Sequence, residues 1–426
     1  MKSWNRGDGP RDGFYTDDIQ NGVYFLRVNN LKNHTIDIDD VKYITRYVHD
    51  NTLKRAQVTA GYLVFSISGT KENLGTVSII PNNILEANLN SALVRLELNW
   101  SIIDKRYFCY MFDLNTTRIQ INFIGKGAAQ NNLNNEEISQ IHIFIPSISE
   151  QEKIVNYLDE AHLKKKQKET EAQRSLESID DYLLSELGIH LPEPEENTIQ
   201  NRIFYRSIKM ISGDRIDPYA YKNIVLETLK NIKEYKYENR TLRQITKPVI
   251  NGFDYRDFCD SGRVYLRVSN IRKDEFSLED VRFIPEFLIE KDIALIEGDL
   301  LLTRKGSYGI SVVVDKSILH AVISSEIFRL RFLNLGKINP YFISAYLNSK
   351  IGQIYFDRIK TGAIMGHISQ DVLQHTPIIV PPIEKQIEIV DRITTIRDRA
   401  KQLRQEGVAE LEKAKQEVEA MILGIE

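Results

Sequence analysis

The same short segment occurs twice in this chain, once near the middle and once near the end. Residues 145–159 read Ile-Pro-Ser-Ile-Ser-Glu-Gln-Glu-Lys-Ile-Val-Asn-Tyr-Leu-Asp, and residues 380–393 read Val-Pro-Pro-Ile-Glu-Lys-Gln-Ile-Glu-Ile-Val-Asp-Arg-Ile. In both, an apolar strand end meets proline, Ser149 or Glu384 stands where a helix N-terminus favours such a residue, and apolar residues then recur at helical spacing. The chain is therefore predicted to be a duplicated unit, and each unit to be one globular domain followed by one long helix.

Both helices are predicted to be long, from about residue 149 to 188 and from about 383 to 422. About 40 helical residues form a rod of roughly 60 Å. The second helix has a heptad seam made by Ile389, Ile393, Ile396, Ala400 and Leu403. Its spacing breaks near Gly407, and the first helix has a lysine-rich middle at residues 164–168. We expect the helices to pair with each other, tightly near their ends and more loosely at mid-length.

Within the globular domains, short alternating apolar segments between Gly and Asn turns predict strands. The segment Leu-Arg-Val-x-Asn at 26–30 recurs 240 residues later at 266–270, and Pro146 recurs 235 residues later as Pro381. A slowly changing offset is typical of two diverged copies that differ in loop length. Only the second copy is preceded by segments like 214–237 and 242–245, so we expect the first to have a missing or displaced edge element.

These boundaries predict five segments. They are a first domain at 1–148, a central helix at 149–190, a linker at 191–205, a second domain at 206–382 and a C-terminal helix at 383–426.

Composition excludes several classes of protein. No apolar run approaches the roughly 20 residues of a membrane span, and the first residues lack the apolar core of a signal peptide, so a cytoplasmic protein without a membrane partner is predicted. The two cysteines, Cys109 and Cys259, lie in different halves, which supports neither a disulfide framework nor a structural zinc site. A net charge of −3 neither requires nor excludes a polyanionic partner.

Catalytic motifs are missing from the sequence. Residues 339–342, Asn-Pro-Tyr-Phe, have one proline where an amino-methyltransferase motif has two, and no nucleotide-binding GxxxxGK[ST] loop occurs. The eight histidines show no HxxxH or HExxH spacing. We predict a non-catalytic chain with no cofactor and no metal of its own.

The order of these features resembles the specificity subunit of Type I restriction–modification systems over nearly the whole chain. The resemblance depends on the two proline-to-helix junctions with Gln151 and Gln386, on the repeated Leu-Arg-Val-x-Asn strand, and on residues 215–219 and 298–306. The last of these is similar to the family pattern GDLLxxRxG. The resemblance implies an α+β fold, with two target-recognition domains joined by two long antiparallel coiled-coil helices in a pseudo-two-fold arrangement.

The resemblance also implies a function. Each domain would read one half of a bipartite site in double-stranded DNA, and the helix pair would set the spacing and dock two methyltransferase subunits. Motor-nuclease subunits would join the full complex, and S-adenosylmethionine, ATP and magnesium would be bound by those partners only. Because the domains diverge outside their framework, the two half-sites are predicted to be unlike and the site non-palindromic.

Candidate DNA contacts lie mostly in polar loops that follow strands, where Arg and Lys can contact phosphates or guanine edges. They are Arg27, Asn30, Ser68, Lys71, Lys126, Gln130 and Asn131 in the first domain, and Arg267, Asn270, Arg304, Lys305, Ser307, Tyr308, Lys360, Thr361 and His367 in the second. A solvated hairpin is the less favoured alternative for residues 303–309, whereas Arg27 and Arg267 suit internal salt bridges equally well. The lysine run at 164–168 is more typical of a solvated helix face.

Two other functions fit the same pattern. The chain is compatible with a coiled-coil scaffold whose duplicated domains bind protein partners, and with a specificity module of a differently organised restriction–modification enzyme. Sequence-dependent binding to duplex DNA distinguishes the first alternative from DNA recognition.

Overall fold

The fold divides into two compact units, Met1–Glu171 with Gln402–Glu426, and Ala172–Lys401. The computed structural model describes residues 3–9, 14–125, 131–193, 196, 198–211, 217–233, 237–286, 294–362 and 366–424, with the backbone alone at 3 and 131.

The first unit combines two sheets with short helices. Its strands are β1 (Ser3–Arg6), β2 (Tyr15–Thr16), β3 (Val23–Leu26), β4 (Leu31–Lys32), β5 (Thr35–Ile36), β6 (Lys42–Ile44), β7 (Gln57–Val58), β8 (Leu63–Ser66), β9 (Ser68–Gly69), β10 (Val77–Ile79), β11 (Ala87–Leu89), β12 (Leu93–Glu97) and β13 (Asn131–Asn132). Its helices are α1 (Lys105–Met111), α2 (Asn115–Ile124), α3 (Asn135–Ser139) and the start of α4 (Ile148–Leu187). The sheets have the orders β1-β12-β8-β10 and β2-β6-β3-β11-β7, and β4 pairs with β5 and β9 with β13.

The second unit repeats this plan with additions at its beginning. Its elements are α5 (Ile208–Ile211), α6 (Asn223–Lys233), β14 (Glu238–Thr241), α7 (Leu242–Ile245), β15 (Ile250–Asn251), β16 (Arg263–Leu266), β17 (Ile271–Arg272), β18 (Glu275–Phe276), β19 (Arg282–Ile284), β20 (Leu300–Thr303), β21 (Ser311–Val313), β22 (Val322–Ile323), β23 (Ile327–Leu330), α8 (Pro340–Asn348), α9 (Lys350–Ile359), α10 (Gln370–Gln374), β24 (Pro377–Val380) and α11 (Ile383–Leu423). Its sheets have the orders β15-β23-β20-β21 and β19-β16-β22, and two further strand pairs are β14-β24 and β17-β18.

The duplication predicted from the sequence is confirmed by matching strands in the two units. The order β15-β23-β20-β21 repeats β1-β12-β8-β10, and the parallel pair β16-β22 repeats the parallel pair β3-β11. The expected loss of an edge element is wrong for the four-stranded sheet, because β1 lies beside β12 as β15 lies beside β23. The difference lies elsewhere: β24 pairs with β14, whereas residues 141–147, all of them described, lie in no strand.

Strand β20 is buried on both faces, which explains its continuous run of leucines. Leu300, Leu301 and Leu302 are all fully buried, since β20 lies between two neighbouring strands and both of its faces are covered. Leu300 and Leu302 belong to the core that also contains Phe342 of α8, and Leu301 belongs to a second core on the opposite face. Each buried leucine contributes about 1.5–3 kcal/mol of transfer free energy.

The two long helices begin and end close to the predicted positions. At the start of α4, the N-terminus is capped by the side chain of Ser147 and not by that of Ser149. The Ser147 N–H donates to the Glu150 carboxylate at 2.9 Å and the Glu150 N–H donates to the Ser147 hydroxyl at 3.4 Å, which forms a capping box. Helix α11 runs without interruption through Gly407, so the break in the apolar spacing there does not interrupt the predicted helix. In the first unit the helices are antiparallel, as Tyr157 hydrogen-bonds Glu417 while Lys168 contacts Glu406 at 3.0 Å.

The expected loosening of this pair at mid-length is wrong. A Cβ atom added to Gly407 would lie 3.2 Å from the Cα atom of Lys165, so the backbones are in close contact there. The apolar seam does fade between Ala161 and Ala172, but a glycine replaces it by letting the two backbones approach.

Among the described residues, no helix combines the length and the apolar character that crossing a bilayer requires. Cys109 is buried, Cys259 is half-buried, and both are free thiols.

Candidate nucleic-acid interface

In the second unit, two loops predicted separately from the sequence lie side by side. One follows β20 and contains Arg304 and Lys305; the other follows α9 and contains Thr361 and His367. The backbone of His367 bridges to those of Lys305 and Thr361, and the Ile368 N–H donates to the Arg304 carbonyl at 3.0 Å. Polar and cationic side chains from distant parts of the sequence therefore share one surface.

This surface surrounds an open cavity of about 450 Å³. It is lined by Asp254, Tyr255, Arg256, Arg304, Lys305, Ser325, Glu326 and His367. The guanidinium of Arg304 lies over the Phe328 ring, 5.6 Å from its centroid, and its Nη1 donates to the Ser325 carbonyl at 3.3 Å. These contacts fix the side chain, so it is pre-oriented for a ligand.

The charges around the cavity are mixed but include more cations than anions. Lys305 is exposed, and its Nζ is 4.0 Å from Glu326, a weak ion pair. Arg256 is also exposed, whereas the carboxylate of Asp254 accepts a hydrogen bond from Ser325. Burial, together with the charges of Arg304 and Lys305, lowers the pKa of His367. An anion placed here would relieve repulsion among these cations.

The loop after β20 is held in shape by its own residues. Thr303 is buried, and its hydroxyl donates to the Ser307 carbonyl at 2.5 Å. Gly306 and Gly309 both have a φ of +77°, a conformation that favours glycine. Ser307 is exposed at the loop tip, as predicted, and remains free to contact a ligand through its side chain.

Two of the predicted contacts belong to an internal network. The Tyr308 hydroxyl donates to Asp357 at 2.6 Å, and Lys360 Nζ donates to Tyr308 at 2.6 Å and to Asp357 at 2.8 Å. Burial would lower the pKa of Lys360, but its hydrogen bonds to Asp357 and Tyr308 raise it above the ordinary value. Tyr219, the one described aromatic of the 215–219 motif, also donates to Asp357, at 3.4 Å. This network orders the loops, and DNA contact by Tyr308 or Lys360 stays a prediction.

The first unit brings the matching loops together in the same way. Strand β9 pairs with β13, so Ser68 lies opposite Asn132 and Gly69 opposite Asn131. Lys71 is exposed, and its carbonyl accepts a hydrogen bond of 2.7 Å from Arg118, which also bonds the Leu74 carbonyl. Of the predicted contacts in this second loop, Lys126 and Gln130 lie outside the described residues, as does the side chain of Asn131.

The repeated Leu-Arg-Val-x-Asn strand has a structural role. Asn30 and Asn270 are each 2% exposed, and each accepts a 2.9 Å hydrogen bond from the backbone of the preceding arginine of the motif. Their prediction as DNA contacts is wrong, because burial removes them from any duplex. Arg27 and Arg267 are paired internally with Asp40 and Asp280, at 3.3 and 2.8 Å, which is the alternative weighed for them.

In the motif at residues 298–306, the first two residues, Gly298 and Asp299, have a structural role. Gly298 has a φ of +86°, and Asp299, 1% exposed, receives Arg331 through two hydrogen bonds of 2.7 and 2.6 Å. The same carboxylate accepts the Ile296 N–H at 3.0 Å. This buried bidentate pair fixes the start of β20 and so the position of Arg304 at its end.

The lysine run on α4 is mostly paired with acids. Lys164 contacts Glu160 at 2.9 Å, Lys165 contacts Glu169 at 3.7 Å, and Lys168 lies 3.0 Å from both Glu406 and Glu410. These pairs support the interpretation as a helix surface, which the sequence favoured.

Sequence reasoning missed two arginines. Arg256 lies in the loop after β15 and enters the cavity only because that loop folds against β23. Its signal was the aromatic and basic run Phe-Asp-Tyr-Arg-Asp-Phe at 253–258. Arg118, which clamps the first-unit loop, sits on a helix and gave no local signal.

Comparisons with known proteins agree on one family. The family model described as Type I restriction modification DNA specificity domain matches residues 14–174 and 236–413. The MjaVIII specificity subunit of Methanocaldococcus jannaschii, a Type I restriction enzyme subunit, is 21% identical over 352 residues, 79% of this chain and 73% of that protein. The EcoEI specificity subunit of Escherichia coli is 26% identical over 134 residues, 30% of this chain and 22% of its own length.

A solved structure has a similar fold. It comes from a study of complex assembly and conformational transition in the type I R-M system, with a TM-score of 0.51 and 15% identity, covering 99% of this chain and 96% of that chain.

Proposed function

The chain belongs to the Type I restriction–modification DNA specificity family and is the specificity subunit of such a system, and from this premise we propose how its parts divide the work. Each unit reads one half of a bipartite, asymmetric site in double-stranded DNA. The observation that carries the proposal is the pairing of two candidate loops in both units, β9 with β13 in one and Lys305 with His367 in the other.

In the second unit, the exposed Lys305 and Arg256 suit phosphate contacts, which position a protein on a duplex without reading its sequence. Arg304 suits a different role. Its guanidinium is held by Phe328 and the Ser325 carbonyl, and a planar, fixed guanidinium is the group that recognises guanine through two hydrogen bonds. We assign base recognition to Arg304 and phosphate contact to Lys305.

The first unit offers a less basic surface. Ser68 and Lys71 are its described candidates, and polar loops of this kind read bases through hydroxyl and amide groups more than through charge. Two chemically different surfaces in one chain support two unlike half-sites.

Helices α4 and α11 set the spacing between the half-sites and dock two methyltransferase subunits, to which motor-nuclease subunits are added in the full complex. The length of the helices supports this role, because 40 and 41 helical residues each span about 60 Å. A single domain reads only a few base pairs, so selective binding in a genome needs two readers at a fixed distance.

The chain itself is proposed to catalyse nothing. S-adenosylmethionine, ATP and magnesium are assigned to the partner subunits, because the sequence offers no motif for binding a nucleotide or transferring a methyl group.

The test combines methylome sequencing of the host with binding by the purified chain. We expect methylation at a split, non-palindromic site, and tight binding to a duplex carrying that site when the methyltransferase partner is present. Duplexes with either half-site scrambled should each bind more weakly, as should one with an altered spacer. A palindromic site, or equal binding to all four duplexes, contradicts the proposal.

A further inference from the structure

Three side chains from distant parts of the first unit meet beside the long helix. His34 lies at the tip of the β4-β5 hairpin, Asp113 at the junction of α1 and α2, and His162 on α4. His34 Nε2 is 2.9 Å from an Asp113 carboxylate oxygen, and the two imidazole rings are 5.8 Å apart. One nitrogen or oxygen from each of the three lies within 4.8 Å of the others.

The second unit has the same junction with different chemistry. Asp274, Asn348 and Arg397 occur 240, 235 and 235 residues after His34, Asp113 and His162, the offsets of the flanking repeats. Both hairpin-tip residues have a left-handed backbone, with φ of +61° at His34 and +58° at Asp274.

The junction of the second unit is internally complete. Arg397 donates to Asp274 at 2.5 Å, and Ser344 donates to the other oxygen of the same carboxylate at 2.8 Å. The Asn348 amide bonds the backbone of Ser311 on both sides, at 2.8 Å. A closed set of direct hydrogen bonds leaves no place for an ion.

The first-unit junction is not complete. His162 Nε2 is buried and has no hydrogen-bond partner among the residues that the structure describes. A buried polar atom left in this state is unfavourable, because it has lost its hydrogen bonds to water without gaining others. The neighbouring Tyr110 ring contacts both imidazoles, but its hydroxyl donates to Asp159 and so does not satisfy His162.

Protonation states at this junction suit a cation. Burial alone would raise the pKa of Asp113, but the hydrogen bond from His34 and nearby positive charge hold it below the ordinary value. Burial and the charge of His34 lower the pKa of His162. The charge of Lys415 also acts on Asp113 and His162, and its Nζ contacts Glu412 at 3.0 Å, which offsets that charge.

We propose that His34, Asp113 and His162 bind a divalent transition metal ion of the zinc type in the first unit. Two imidazole nitrogens and one carboxylate oxygen are ligands that Zn²⁺ accepts at about 2.0–2.2 Å, which places ligand atoms about 3.3 Å apart in a tetrahedron. Small side-chain shifts reach that spacing from the observed one. The ion would satisfy His162 and fasten the β4-β5 hairpin to helix α4.

No motif of closely spaced ligands in the sequence indicates this site. Its ligands lie at positions 34, 113 and 162, on a hairpin, a helix junction and a long helix, so only the tertiary fold brings them together. The sequence-based expectation of no metal rested on the absence of short histidine motifs.

The experiment uses the full chain freed of metal by a chelator. We expect titration with Co²⁺ to give the visible absorption of a tetrahedral site at one equivalent per chain, Zn²⁺ to displace it, and Zn²⁺ to raise the melting temperature. His162→Gln removes one of the three ligands and should lower the affinity by more than the roughly 10–100-fold that losing a hydrogen-bond partner of a ligand costs. The exposed His142 lies in the same unit, and His142→Gln should change nothing.

A second variant guards against misfolding of the first. The triple change His34→Asp, Asp113→Asn and His162→Arg installs the side chains of the second-unit junction, and should abolish the Co²⁺ signal while the chain stays folded by circular dichroism. Failure of the parent chain to bind the metal, or an unchanged Co²⁺ signal in the triple variant, overturns the proposal. Neither outcome bears on DNA recognition, which rests on other loops.

Discussion

The side-chain oxygen of Gln151 accepts a 2.8 Å hydrogen bond from the backbone N–H of Asp104, the N-cap residue of α1. The Gln151 amide nitrogen donates in turn to the carbonyls of Ile102 and Pro146, both at 2.9 Å. Gln386 makes the equivalent three bonds to Asn339, Lys337 and Pro381 in the second unit. The glutamine shared by the two proline-to-helix junctions therefore joins each long helix to its own globular domain.

Replacing Gln151 with leucine should destabilise the first unit strongly. The side chain is fully buried, so its loss leaves one backbone N–H and two carbonyls without partners in the interior. At about 1–3 kcal/mol for each of the three unsatisfied groups, the free energy of unfolding should fall by about 3 kcal/mol or more. Chemical denaturation measures this. Gln402→Leu is the control, since that side chain is exposed and bonds only Glu406 on its own helix; equal effects from both variants would refute the role of Gln151.

The local pattern predicted what local chemistry decides. Proline, cap and apolar spacing placed both long helices to within a residue or two, and the repeated motifs placed matching strands such as β3 and β16. The same motifs misled where function was concerned. Asn30 and Asn270 recur because a buried turn needs their side chains, and a recurrent polar residue in one sequence looks the same whether it caps a turn or contacts a ligand.

The features that the sequence did not predict correctly depend on tertiary contacts. No sequence pattern indicates that the loop containing Arg256 lies beside Arg304, or that Lys360 forms an ion pair with Asp357. The break in apolar spacing near Gly407 and the lysine-rich middle of α4 predicted loose pairing, but the missing side chain of Gly407 allows close packing against Lys165.

That packing leads to a prediction for Gly407→Leu. The new Cβ would lie 3.2 Å from the Lys165 Cα, closer than such contacts normally are, so we expect α4 and α11 to move apart in the first unit. Overpacking of this kind costs about 1–3 kcal/mol. Hydrogen exchange of α4 amides near Lys165 should accelerate accordingly. Val408→Leu, on the exposed neighbour, should leave exchange unchanged; protection retained in the Gly407 variant would show that the contact is not tight.

The pH dependence of DNA binding should identify His367. In the free protein, burial and the charges of Arg304 and Lys305 lower the pKa of this imidazole, so it is neutral at neutral pH. Bound phosphate adds negative charge and raises the pKa of His367, so binding takes up a proton. The affinity should therefore rise as the pH falls through the higher pKa of the complex, and it should level off below the pKa of the free protein. Fluorescence anisotropy between pH 5 and 8 measures this, as an estimated window around the ordinary histidine pKa of about 6.5.

His367→Gln should flatten that profile, whereas His375→Gln should not, because the His375 ring is exposed, lies outside the cavity, and contacts the Asp371 carbonyl of its own helix through Nδ1. A profile that survives in the His367 variant assigns the proton elsewhere.

Replacing both Arg304 and Lys305 with alanine should weaken binding to the specific duplex and flatten its salt dependence. Each phosphate contact contributes about 0.9 to the slope of log K against log salt, so losing Lys305 alone should reduce the slope by about 1. Arg304→Ala should instead cost about 1–3 kcal/mol at one base pair and relax the preference there, if its fixed guanidinium reads guanine. Lys316→Ala removes an exposed lysine that lies outside the cavity and serves as the matched control. Separate titrations of the single variants at several salt concentrations distinguish the two roles, and unchanged affinity and slope in the double variant would remove this loop from the interface.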